Sequence, residues 1–120
     1  MKDNIILEKS YLFAKRIVRL YLYLKKEMRE FDLARQILKS GTSIGANIEE
    51  AVGGFSRKDF MAKIGIAYKE TRETNYWLRL LHDTNILDSK LFNSMNKDCD
   101  ELLKILSSIL VTMKKSNTNS

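Results

Sequence analysis

The stretch Leu91–Met113, LFNSMNKDCDELLKILSSILVTM, decides the fold. Its apolar residues Phe92, Met95, Cys99, Leu102, Leu106, Ile109 and Met113 recur at steps of three and four. A strand turns its side chains to one face at every second residue, whereas an α-helix returns to the same side after 3.6. The stretch is therefore predicted to be an amphipathic helix, and Leu103 and Leu110 widen its seam to the stripe that a globular bundle buries. Asp88 stands where a carboxylate can accept from the free amides of a first helical turn. The spacing predicts a helix over 89–115.

Moving toward the N-terminus, Phe60, Ile64, Ala67, Thr71, Thr74, Leu78 and Leu81 repeat the rhythm and predict a helix over 57–84. Ser56 and Asp59 resemble a capping box at its start. Asn85 suits a left-handed stop, with Ile86 folding back on the last turn. So few residues separate this stop from Asp88 that the last two helices are expected to be antiparallel neighbours.

Ala34, Leu38, Gly41, Gly45, Ile48, Val52 and Phe55 predict a helix over 32–53, begun at Asp32 and released at Gly53-Gly54. Each interior glycine costs about 1 kcal/mol against alanine. Close approach of another backbone at Gly41 and Gly45 is the favoured compensation, and an irregular helix is the alternative.

The first predicted helix, 5–28, is apolar over too much of its circumference. Ile6, Phe13, Ile17, Leu20 and Leu24 form a core face. Leu7, Tyr11, Val18 and Leu22 form a shoulder roughly 120° away. Left bare, that shoulder is an apolar patch in water, so Tyr11, Val18 and Leu22 are expected to contact a second copy of the chain. The fold class expected is all-α: an antiparallel up-and-down four-helix bundle, one domain over 1–120.

Composition agrees. Proline is absent from the 120 residues, which permits long helices with short connections. No apolar run approaches the ~18 residues of a membrane span, and Ile5-Ile6-Leu7 is too short for a signal-peptide core. No membrane association is expected. The single cysteine, Cys99, excludes an internal disulfide framework and fits a reducing compartment, so a cytoplasmic location is expected. Of the net charge of +6, residues 1–26 carry +5, from seven basic and two acidic side chains. Charge so concentrated attracts phosphate backbones, acidic proteins or anionic lipid.

Signatures of catalysis are sparse. His82 is the only histidine, and Arg79 three residues before it removes the Glu-x-x-His pattern of bundle-core di-iron sites. Cys99 lies on an apolar seam, where a buried inert thiol is the simpler reading. No glycine-rich loop follows a strand. No metal, no cofactor and no enzymatic activity are expected.

Two polar ridges flank the seams. Gln36, Ser40, Ser43, Asn47 and Glu50 run along the second helix, and Glu70, Glu73 and Asn75 along the third, beside Thr71 and Thr74. Burial would oblige the carboxylates to find partners, with Arg35, Arg57, Lys63 and Arg72 as candidates. A structural polar network of Ser43, Asn47, Glu50, Glu70 and Glu73 is favoured over a solvated surface. A catalytic acid–base pair ranks last, because no nucleophile, metal set or cofactor motif accompanies it.

On the first helix, Lys15, Arg16, Arg19 and Lys26, with Tyr23 and Leu12 among them, form a basic stripe. Cations with an interleaved aromatic suit phosphate contacts and base stacking, so RNA or DNA is the expected partner. For a lone helix an ordinary solvated face is the favoured reading; repetition of the stripe in an oligomer, which would build a ring or wall of charge, is what raises the expectation of nucleic acid. Glu8 and Glu27 interrupt the stripe, which ranks a lipid surface lower. A scaffold that docks a partner protein, with the charge incidental, is the competing function.

The stretch Arg35-Gln36-Ile37-Leu38-Lys39-Ser40-Gly41-Thr42-Ser43-Ile44-Gly45-Ala46-Asn47-Ile48-Glu49-Glu50-Ala51 carries a resemblance. It continues through Ser56-Arg57-Lys58-Asp59-Phe60, Ile66-Ala67-Tyr68-Lys69-Glu70-Thr71-Arg72-Glu73-Thr74 and Tyr76-Trp77-Leu78. These residues resemble the signature of the four-helix-bundle proteins encoded in intervening sequences of large-subunit ribosomal RNA genes, often labelled ribosomal proteins. Similar chains include the accessory variability determinant of diversity-generating retroelements. The resemblance implies an up-down bundle, a homopentameric barrel and no known enzymatic activity. For the retroelement relatives it implies binding of nucleic acid and of a reverse transcriptase through a basic surface. Ser43, Asn47, Glu50 and Glu73 fall on signature positions and are read as structural.

Overall fold

The computed structural model describes the backbone of residues 2–119 and the side chains of residues 5–116. It contains four helices: α1 (Lys2–Lys26), α2 (Asp32–Val52), α3 (Arg57–Asp83) and α4 (Ser89–Asn119). Connections this short force each helix to run back along its predecessor. The register follows from the contacts. Ser10 and Ile17 of α1 face Gly45 and Gly41 of α2. Glu50 and Ser40 of α2 meet Lys63 and Thr74 of α3. Thr71 and His82 of α3 meet Cys99 and Ser89 of α4. The result is an antiparallel up-and-down bundle, 52 Å long and 23 × 22 Å across. Its thinnest seam is α1 against α4.

The predicted seams of α1, α3 and α4 form the core. Phe13, Ile17, Leu24, Ile64, Leu78, Leu81, Met95, Cys99 and Leu106 are all fully buried. Each large side chain so buried contributes about 1.5–3 kcal/mol before chain entropy is set against it. The α2 stripe differs from its prediction. Ile37, Ile44 and Ala51 are buried, whereas Leu38 is half-buried and Val52 and Phe55 are exposed. α2 packs against both α1 and α3, so its buried sector is broad, and in its last turn Ala51 faces inward while Val52 faces solvent. Leu7, placed on the exposed shoulder of α1 by periodicity, instead packs half-buried against the core.

Gly41 and Gly45 lie where α1 and α2 approach closely. A Cβ on Gly41 would sit 2.7 Å from Ile17 Cγ1, and one on Gly45 would sit 3.4 Å from the Ser10 carbonyl oxygen. α2 runs unbroken through both, so close packing is the compensation for their helix cost.

The caps follow local chemistry with one exception. Ser56 Oγ accepts from Asp59 N at 3.0 Å and Asp88 Oδ1 from Leu91 N at 2.8 Å. Asn85 takes φ 64°, and the amides of Ile86 and Leu87 both bond to Leu81 O. Asp32, by contrast, does not cap α2. It is already helical and pairs with Arg35 at 2.7 Å, while Glu30 reaches the free Leu33 amide at 2.9 Å. α1 ends earlier than predicted, at Lys26, with Arg29 left-handed at φ 53° and Glu30 N bonded back to Leu24 O. Arginine gives no sign of a left-handed stop, which is why periodicity overran that end.

Candidate nucleic-acid interface

The core face of α1 fixes what the rest of the helix presents. With Ile6, Phe13, Ile17, Leu20 and Leu24 inward, Lys15, Arg19 and Lys26 project into solvent on the opposite side. Among the described residues no carboxylate pairs with these three. The Lys15 ammonium lies 5.4 Å from the centroid of the Tyr11 ring. Beside them Tyr11, Val18 and Leu22 are 63%, 41% and 55% exposed. This strip borders a groove of about 400 Å³ between α1 and α2, floored by Ala14, Thr42, Gly45 and Ala46. Predicted cations and predicted apolar shoulder therefore sit next to each other on one outer surface.

Two residues predicted for the stripe stand apart from it. Arg16 turns to α4, where its guanidinium bonds Asp98 at 2.6 Å and Ser94 Oγ at 2.8 Å. It closes the thin α1–α4 seam, as does Lys9 with Glu101 at 3.1 Å. Tyr23 lies beside Met28 and the α3–α4 corner, its hydroxyl 3.7 Å from Met28 Sδ. Helical spacing puts Arg16 and Tyr23 within 100° of the stripe but cannot reveal that α4 stands beside them.

The predicted polar network resolves into separate links along the α2–α3 seam. Ser43 Oγ donates to Lys39 O at 2.6 Å and also reaches Glu70. Asn47 Nδ2 donates to Ser43 O at 2.8 Å. Glu50 pairs with Lys63 at 2.8 Å, and Glu73 accepts from Trp77 Nε1 at 3.2 Å. Burial and the neighbouring Glu73 charge push the Glu70 carboxyl above its ordinary range, against the Ser43 hydrogen bond and the Lys39 charge. Deeper in the seam, Thr74 Oγ1 lies 2.9 Å from Ser40 Oγ, both fully buried.

Cys99 is buried on the α4 seam, its sulfur 3.5 Å from Thr71 O. Burial, and after it the charge of Asp100, push its thiol up to about 12. A thiol held so far above neutrality is a poor nucleophile. Among the described residues no three His, Cys, Asp or Glu side chains cluster as metal ligands, and no helix is long and apolar enough to cross a membrane.

A sequence profile of the 23S rRNA-intervening sequence protein family matches residues 2–108. The chain belongs to that family. A crystal structure of a protein of unknown function from the S23 ribosomal protein family of Bacteroides thetaiotaomicron superposes on it with a TM-score of 0.90. The two are 51% identical, over 92% of this chain and 98% of that one. No curated protein matches the chain. For this member of the intervening-sequence family, the outer surface of α1 joins exposed cations to an exposed apolar strip.

Proposed function

We propose that this chain is a non-enzymatic, self-assembling bundle protein, a homopentamer as the family resemblance implies, and that it binds RNA through α1. The observation that carries the reading is the pairing on α1 of unpaired Lys15, Arg19 and Lys26 with the exposed strip Tyr11, Val18 and Leu22. An apolar strip of this kind is stabilised by a second copy, and assembly repeats the cations around a ring. Repetition converts a weak phosphate contact into a strong one through effective concentration. Arg16 is occupied by Asp98 and serves the fold instead.

The test is the salt dependence of binding to single-stranded RNA. Each phosphate neutralised contributes about 0.7 to the slope of log affinity against log salt. Replacing Lys15, Arg19 and Lys26 with glutamine is expected to lower that slope by about two per protomer engaged. Binding that is unaffected by salt, or a triple variant with wild-type slope, would remove α1 as the site.

A further inference from the structure

The outer face of α3 carries a second pattern that the α1 surface does not use. Tyr68, Arg72, Tyr76 and Arg79 follow one another at helical spacing along one side; Arg72, Tyr76 and Arg79 are exposed, and Tyr68 packs half-buried against the core. At 1.5 Å per residue the series spans about 16 Å. Arg72 Nη1 lies 3.4 Å from the Tyr68 hydroxyl. The Arg79 guanidinium lies 5.9 Å from the Tyr76 ring centroid. Lys69 is exposed alongside, and a Cβ added at Gly65 would meet no neighbour within 4 Å.

The side chains are held in place. Trp77 packs against the core and meets the Tyr76 ring edge-on at 5.0 Å. Arg79 Nε donates to Asn75 Oδ1 at 3.0 Å; Asn75 bonds Asn96 of α4, and Asn96 bonds Asp100. Yet among the described residues neither Arg72 nor Arg79 forms an ion pair. The guanidinium groups are oriented without being neutralised.

We infer that the outer face of α3 is a binding site for single-stranded RNA, a base stacking on the exposed Tyr76 ring and phosphates bonding Arg72 and Arg79, with the Tyr68 hydroxyl positioning Arg72. An exposed aromatic platform flanked by cations matches a strand whose unpaired bases alternate with charges, and a duplex hides the face such a platform needs. The ladder lacks the contiguous apolar centre that a protein interface would bury. α1 and α3 stand at opposite corners of the bundle, so this face points away from the α1 stripe. The site extends the RNA-binding reading above but is independent of α1.

The experiment uses the full chain, a labelled 20-nucleotide oligouridylate and a blunt RNA duplex of equal length. It compares three variants: Tyr76→Leu, Arg72→Gln with Arg79→Gln, and the α1 triple glutamine. Loss of one stacking platform is expected to weaken oligouridylate binding about 5- to 100-fold. The duplex should bind less tightly and change little. The paired arginine variant replaces two exposed side chains and guards against a folding defect, which melting curves would expose. Oligouridylate binding at wild-type strength in both α3 variants overturns the α3 site, and if only the α1 variant is weakened, α1 stands alone. Weakening in the α3 variants alone supports α3 and removes α1. A wild-type chain that binds neither RNA overturns both. A change in assembly mass in the α3 variants, with RNA affinity unchanged, reassigns the face to contact between copies and overturns the site.

Discussion

Glycine shows at the scale of single residues how position sets the effect of one methyl group. Gly41, Gly45 and Gly65 all lie inside helices, where alanine would gain up to about 1 kcal/mol from propensity. At Gly41 the added Cβ would overlap Ile17, which is wholly buried and has no room to retreat. Overpacking of that kind costs about 1–3 kcal/mol, so Gly41→Ala is expected to lower stability by chemical denaturation. At Gly65 no atom lies within 4 Å of the added carbon, so Gly65→Ala should raise stability by about 0.5–1 kcal/mol. A stabilising Gly41→Ala would mean that α1 and α2 are not packed as described, and a destabilising Gly65→Ala that the space beside α3 is occupied. Sequence periodicity predicts the Gly41 approach because that residue falls on a buried stripe. It says nothing of the space at Gly65.

Between elements, the α2–α3 seam carries the charge balance. Glu70 has a folded-state pKa above its ordinary 4.5, with burial the first cause and Glu73 the second. The folded chain therefore binds this proton more tightly than the unfolded chain. The resulting stability is complete below about 4.5 and is lost as pH rises through the raised value. At pH 7 the ionised group is a small liability. Glu70→Gln is expected to melt higher than wild type at pH 7, by a stability difference of less than about 1 kcal/mol because the half-buried carboxyl keeps part of its hydration, and to match it near pH 4. A lower melting point at pH 7 would show that the contacts to Ser43 and Lys39 outweigh the repulsion. The α3–α4 corner is held differently. His82 stacks on Phe92 at a centroid distance of 4.4 Å and spans Asp83 and Ser89. No spacing rule links a lone histidine to a partner on the next helix. Its place in the corner follows only once the chain has turned at Asn85.

For the whole molecule, shape matters as much as sequence. The accessible surface of 7645 Å² exceeds the roughly 6,700 Å² that a compact monomer of this mass would expose. A rod 52 Å long leaves each helix a long outer face, and those of α1 and α3 present exposed cations beside exposed aromatic rings. The apolar strip on α1 sets a prediction at this scale. Sedimentation is expected to give an assembly several times the 14.0 kDa chain mass, independent of RNA. Leu22→Asp, at a residue 55% exposed in the single chain, should lower that mass without unfolding the bundle. A wild-type chain that remains monomeric at high concentration would leave the strip without a partner and end the self-assembly proposal.

Helical periodicity by itself determined the four helices, their antiparallel order and most of the core, because a buried face must repeat every 3.6 residues. It also placed Lys15, Arg19 and Lys26 together, since residues on one helix share a frame. Tertiary structure alone decided which flanks find neighbours. Arg16 is claimed by Asp98, Glu50 by Lys63, and Phe55 is left bare beyond the end of α2. A side chain's own helix fixes its direction, but whether it meets a charge, a ring or water depends on the helix standing opposite.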